Sequence, residues 1–316
     1  MNAAIALIIS FPAVLLISLL FEGIDRKLHA RMQKRIGPPV IQPFYDLIKL
    51  FNKGRVIPLT ASVRVFEIMP MIAAAVSLLG ASILLSGILF GLSMIGDLIV
   101  VMYLLAMSSI ALMVGGSASG NPYSAIGFSR KMSMMIAYEV PMFIAVISVA
   151  FGSTPSLAID RIIKFQANLG LPLAASRPSM SLAAAAFLLC MPAASSAIPF
   201  DIPEAKTEII YGLLVEYCGP YLALAKIAKA ASNFALTLLA SIVFLYIPSL
   251  LWENAPLNSG ISLSLCLTTA LLIMFTTMTV PRTILARLKI GQALKFYWMV
   301  PLTLSLSSII LSAAGL

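Results

Sequence analysis

Apolar runs of about twenty residues recur along this chain, and no other feature constrains its fold as strongly. A helix of that length crosses about 30 Å of hydrocarbon. Eight stretches meet the measure, at 2–21, 68–90, 97–115, 134–152, 181–199, 227–247, 261–280 and 297–315. In lipid every backbone amide must be paired within its own segment or with a neighbour, which leaves a helix bundle as the solution for segments of this kind. Composition agrees: the 316 residues are 60% apolar and 10% charged, with a mean hydropathy of +1.02, well outside the soluble range. The expected fold is all-α, a polytopic membrane helix bundle of eight transmembrane helices forming a single integral membrane domain over 1–316. The first run, Met1 to Phe21, has no basic leader and its cations follow it. We therefore read it as a retained helix rather than a signal peptide.

The charges orient the bundle. If the N-terminus is external, the loops 22–67, 116–133, 200–226 and 281–296 are cytoplasmic. With Lys229 at the end of the sixth span they hold eighteen of the 21 basic residues, leaving Arg161, Lys164 and Arg177 outside. The positive-inside rule then places both termini on the external face. It also accounts for the net charge of +9 without nucleic acid, because the cations flank spans and no soluble domain carries them. Cys190, Cys218 and Cys266 are widely spaced, and neither a disulfide framework nor an iron-sulfur or zinc site is supported.

The first cytoplasmic loop, 22–67, is the longest and most basic. Gly37-Pro38-Pro39 and Pro43 divide it into a basic helical start and a second piece, in which Phe44, Leu47, Ile48 and Phe51 recur at three- and four-residue spacing. Such a stripe predicts an interfacial helix, with Asp46, Lys49 and Lys53 on its other faces. The basic cluster Arg26, Lys27, Arg31 and Arg35, with Asp46 and Lys49, has two readings: a topology anchor on anionic lipid, or a docking surface for a peripheral subunit. The ordered proline backbone favours docking. Elsewhere, Asp160, Arg161 and Lys164 suggest a short interfacial helix in the external loop 153–180.

Acid groups concentrate in the third cytoplasmic loop, 200–226. Asp201, Glu204, Glu208 and Glu216 are four of the twelve carboxylates in the chain. Pro199 and Pro203 favour an extended or turning backbone around Asp201. From Glu204 onward good helix formers predict an acidic helix, with Glu204, Glu208 and Glu216 on one broad face. Lys226 and Lys229 follow, either as flanking lysines or as cations that tune those acids. Within the fourth span lies Glu139, followed by Pro141. A carboxylate there is expensive in lipid. It either snorkels to Arg130 or Lys131, or faces a polar cavity that a proton or cation can use.

Three motifs resemble the respiratory complex I subunit 1 family, the membrane subunit at the junction of complex I and its relatives. They are Asp25-Arg26-Lys27 through Arg31-Met32-Gln33 to Arg35-Ile36-Gly37-Pro38, the run from Ser133 ending Ala137-Tyr138-Glu139, and Pro199-Phe200-Asp201-Ile202-Pro203-Glu204-Ala205 with Glu208 and Glu216-Tyr217. Gly37-Pro38-Pro39 and Gln42-Pro43-Phe44-Tyr45-Asp46-Leu47 look more like the group 4 membrane-bound [NiFe] hydrogenase, formate hydrogenlyase and sulfur-reducing branch than like quinone-reducing members. Lys206 and Lys229 stand where acids are usual in the family.

The resemblance implies a multi-pass subunit of the cell (plasma) membrane that couples and anchors an ion-translocating oxidoreductase. Its implied partners are a peripheral iron-sulfur subunit, a hydrogenase-like large subunit and antiporter-like membrane subunits. Iron-sulfur clusters and, in the hydrogenase branch, a NiFe centre would belong to those partners, with no cofactor, metal or redox centre in this chain. The implied relay of protons or sodium ions runs through Glu139, Asp201, Glu204, Glu208, Glu216 and Lys229. Three other readings compete: a quinone-reducing complex I subunit contributing the quinone cavity, a stand-alone secondary transporter, and a passive anchor. The transporter predicts an internal repeat, which the two unlike loops do not supply. The passive anchor leaves Glu139 unexplained.

Overall fold

A computed structural model describes residues 3–91, 96–152, 156–246 and 258–315 of the chain. Residues 1, 2 and 247, at the edges of the first and sixth expected spans, and 153–155, at the start of the expected external loop, lie outside the described residues. Every regular element among the described residues is helical. Six helices are long and apolar enough to cross a membrane: Val63–Phe90, Asp97–Ser117, Pro122–Gly152, Gly219–Phe244, Gly260–Ile284 and Ile290–Ala313. We label the elements α1 (Ala3–Met32), α2 (Gln42–Phe51), α3 (Val63–Phe90), α4 (Asp97–Ser117), α5 (Pro122–Gly152), α6 (Ile159–Leu169), α7 (Leu173–Ser176), α8 (Pro178–Ala194), α9 (Lys206–Ile209), α10 (Gly219–Phe244), α11 (Asn258–Met274), α12 (Val280–Ile284), α13 (Ile290–Met299) and α14 (Pro301–Ala313).

Several helices run beyond the apolar windows that marked them. α3, α5 and α10 start at Val63, Pro122 and Gly219, ahead of the expected 68, 134 and 227. The added turns include Arg64 and Glu67 in α3, Arg130 and Lys131 in α5 and Lys226 in α10, which lower the local hydropathy. The expected 181–199 span is the shorter helix α8, which ends at Ala194. Ser195 to Phe200 is a buried turn in which Ser196 adopts positive φ.

α10 is the hub. It packs against α1, α3, α8 and α11, and its buried face is rich in alanine, with Ala223, Ala228, Ala231, Ala235 and Ala240 fully buried. Small residues let membrane helices approach closely enough for dispersion to hold them. A second group joins α5, α8 and α14, where Ser305, Ser308 and Ser312 on α14 are buried. The end of α10 is capped from outside. Buried Gln166 on α6 donates to the carbonyls of Ile242 and Val243, and its own carbonyl accepts from the Leu173 amide. That accounts for helix-end groups that lipid cannot satisfy.

Two local details concern α2 and the acidic loop. In α2 the buried residues are Pro43, Leu47 and Leu50, whereas Ile48 and Phe51 of the expected stripe are 59% and 48% exposed. Ile48 and Phe51 thus lie on the open side of α2, and Asp46 is tied to α1 by an ion pair with Arg26. The expected acidic helix is absent as a continuous element. Only the single turn α9 and a 3₁₀ turn at Gly212–Leu214 form, with Ile210, Tyr211 and Gly212 in left-handed backbone between them. Tertiary packing outweighs propensity here. The 3₁₀ turn wedges onto Gly116 and Gly127, where an added Cβ would meet the Leu213 carbonyl oxygen at 2.7 Å and the Leu213 amide nitrogen at 2.9 Å. Beyond it, Tyr217 stacks on Phe66 at 4.3 Å between ring centroids.

Candidate functional site

The loop between α8 and α10 carries four acids, and each meets a polar group on a different part of the chain. Asp201 accepts from Arg287, beyond α12, at 3.1 Å. Glu204 forms an ion pair with Lys229 of α10, and its side chain is only 15% exposed. Glu208 accepts from Arg130 of α5 at 2.6 Å, and Glu216 accepts from the Asn121 amide at 2.5 Å. Asp201 and Glu204 therefore point into the protein, while Glu208 is 59% exposed at the rim. Glu204 precedes α9, Glu208 lies within it and Glu216 lies beyond the left-handed break, so the expected common acidic face does not exist.

Burial raises the Asp201 carboxyl above its ordinary value, and the neighbouring Glu204 charge adds to this; Lys229 and Arg287 oppose it. Burial likewise pushes the Tyr217 phenol up. The arrangement holds several charges in one poorly solvated region.

Glu139 lies deeper, on α5. It lines a cleft with Ser109, Tyr138, Met142, Ser232 and Leu236, and among the described residues its carboxylate has no ion-pair partner. Neither Arg130 nor Lys131 forms an ion pair with it among the described residues. Arg130 pairs with Glu208, and Lys131 donates to Ser196 Oγ at 2.7 Å. Hydroxyls continue from the cleft, with Ser232 close to Ser108 and Ser108 donating to the Ala73 carbonyl.

The basic first loop divides into braced and free charges. Arg26 pairs with Glu22 and, at 2.9 Å, with Asp46, which also accepts from Gln42. Burial opposes ionisation of Asp46, but the hydrogen bonds from Arg26 and Gln42 and the Arg26 charge outweigh it and hold this carboxyl below its ordinary value. Arg26 and Asp46 thus fasten α2 to α1. Lys27 is half-buried, and Arg31, Arg35 and Lys49 are exposed.

Four polar residues in these networks are not among the candidate site residues that the sequence offers. Asp25 accepts from Thr279 at 2.6 Å and from Arg282 at 3.4 Å, joining α1 to the π-helical turn Phe275–Thr279 and α12. Glu67 accepts from Tyr221, while Asn121 and Ser196 hold Glu216 and Lys131. Short-range pattern gives no sign of these pairings; Pro281, just after the π turn, is the one local hint of irregular helix. Among the described residues no three His, Cys, Asp or Glu side chains are grouped to hold a metal ion.

Comparison with known proteins places this geometry. A family model described as NADH dehydrogenase matches residues 4–313. An NADH-quinone oxidoreductase subunit of Thermomicrobium roseum is 33% identical over 242 residues, covering 70% of this chain and 71% of that one. The subunit of the same name from Dehalococcoides mccartyi strain 195 is 30% identical over 320 residues, covering 97% and 85%. A chain in a structure of the membrane-bound sulfane sulfur reductase, an archaeal respiratory membrane complex, superposes with a TM-score of 0.86 at 28% identity, covering 99% of this chain and all of that one. This chain is therefore a member of the NADH dehydrogenase family, the subunit 1 family of complex I and its relatives.

Proposed function

We propose that this chain is the membrane coupling and anchor subunit of a complex I-related oxidoreductase of the membrane-bound hydrogenase and sulfur reductase kind. It crosses the cell membrane eight times with both termini outside, docks a peripheral redox arm on its first, third and last cytoplasmic loops, and links electron transfer there to movement of protons or sodium ions. Electron transfer belongs to an iron-sulfur subunit and a hydrogenase-like large subunit, and antiporter-like membrane subunits carry the ions onward. The observation that carries this reading is the order of charge along α5: Arg130 meets Glu208 of the acidic loop, and Glu139, nine residues further on, lines a cleft and has no ion-pair partner among the described residues. A charge change at the docked redox site shifts the balance among Asp201, Glu204, Glu208, Glu216 and Lys229, and a proton or cation then moves to or from Glu139. The structural likeness to the sulfane sulfur reductase complex supports this branch.

A second reading, a quinone-reducing subunit contributing a quinone cavity, draws support from the names of the curated relatives, which are quinone oxidoreductase subunits. Gly37-Pro38-Pro39 in the first loop favours the former. Purification of the native complex, with assay of its turnover on protons, polysulfide and a quinone as acceptors, separates them. A nickel-containing partner indicates a hydrogenase, and a homologous large subunit without nickel-binding cysteines indicates a sulfur reductase or a quinone enzyme. Glu139→Gln or Glu208→Gln should leave the complex assembled and remove redox-linked ion uptake in sealed vesicles. Wild-type uptake in both would refute the coupling role.

A further inference from the structure

Lys131 is a buried cation that the relay above does not use. It is 7% exposed, and among the described residues it has no ion-pair partner, since Glu204 is taken by Lys229 and Glu208 by Arg130. An ammonium with three donors in such a place is costly unless something holds it. Two groups do so. On the loop side, Nζ donates to Ser196 Oγ at 2.7 Å. On the cleft side, it lies 5.8 Å from the centroid of the Tyr138 ring, within range of a cation–π attraction. Tyr138 bonds Ser109, and both line the cleft with Glu139. The charges acting on Lys131 are Glu204 and Glu139, both attractive, and Lys229, repulsive.

Ser196 gives this contact its leverage. It sits at the base of the acidic loop in left-handed backbone at φ 52°, its amide bonded to Ala193. Five residues on, Asp201 is tied to Arg287, and Glu204 is tied to Lys229. A displacement of the loop by a docked partner moves the Ser196 hydroxyl, and the ammonium it holds moves relative to Glu139.

We propose that Lys131 is a positioning residue for ion movement: through Ser196 it ties the placement of the acidic loop to the electrostatic surroundings of Glu139. This rests on the coupling function proposed above. No covalent step is involved; the lysine carries its charge between two settings.

The test uses the complete complex in sealed vesicles, with Lys131→Met, Lys131→Arg and Ser196→Ala compared against Glu139→Gln. Lys131→Met should keep redox turnover and move the pH profile of redox-driven ion uptake by about 1 unit, the scale of effect of a close charge. Lys131→Arg should restore the profile, and Ser196→Ala should move it in the same sense as Lys131→Met. If Lys131→Met fails to assemble, Ser196→Ala and Lys131→Arg decide the matter: an unmoved profile in Ser196→Ala overturns the proposal. Wild-type uptake and profile in Lys131→Met, with uptake lost in Glu139→Gln, overturns the role of Lys131 alone. Wild-type uptake in Glu139→Gln overturns the coupling function and this inference with it.

Discussion

Removing one member of the Glu204–Lys229 pair should cost far more than removing both. Breaking a buried pair by deleting one partner typically costs 3–5 kcal/mol, because the survivor is left as an uncompensated charge. Here the side chains are 15% and 34% exposed, so water screens part of that cost and about 2–3 kcal/mol is expected for Glu204→Gln or Lys229→Met alone. Lys229→Met leaves Glu204 beside Asp201, whose charge it already opposes. Glu204→Gln leaves Lys229 near Lys131. The double variant removes both problems and should return to within about 1 kcal/mol of wild type, giving a coupling energy of about 4 kcal/mol. Cys190 and Cys266, 0% and 2% exposed, report unfolding through the temperature at which peptides containing them become alkylated in the detergent-purified complex. Single variants as stable as wild type, or a double variant destabilised by the sum of the two, would show that the pair is not a buried interaction and would remove the basis for a charge-balanced loop.

The other predictions address separate joints. Asp46 has a folded value below its ordinary 3.8, so its contribution to stability is present above that pH and is lost as pH falls through the lower folded value. Asp46→Asn should therefore lower the melting temperature at neutral pH, with the difference from wild type closing in acid. Asp201, raised above 3.8, behaves oppositely, and wild type should gain stability relative to Asp201→Asn as pH falls from neutral through that raised value. Gly212→Ala should cost about 2–5 kcal/mol, because Gly212 has φ +51° and an added Cβ would meet the Pro203 carbonyl oxygen at 2.2 Å; faster protease cleavage within the acidic loop would report it. Thr279→Val removes the donor to Asp25 and should cost about 1–2 kcal/mol, measured by the same alkylation readout.

The helices are legible in the sequence because lipid enforces them: twenty apolar residues in a row leave few alternatives, and α4 begins at Asp97, the first residue of its expected span. Amphipathic α6 is also legible from Asp160, Arg161 and Lys164. The acidic loop is legible in composition but not in shape. Its residues favour helix, yet the backbone turns left-handed at Ile210, Tyr211 and Gly212 so that Leu213 and Tyr217 can reach α4, α5 and Phe66, contacts between residues up to 151 positions apart. Arg26 and Asp46 are readable as charges but not as a pair, since twenty residues and a proline turn lie between them. Lys131 stands in the sequence as a candidate partner for Glu139, whereas Ser196, 65 residues away, holds it. Long-range polar pairing decides each case, and periodicity carries no record of it.

The most direct measurement of the central claim is the number of ions moved per electron pair by the intact complex in sealed vesicles, with wild type and Glu139→Gln compared at matched redox turnover. The account predicts unchanged electron transfer with the ratio falling toward zero in the variant. An undiminished ratio would contradict it.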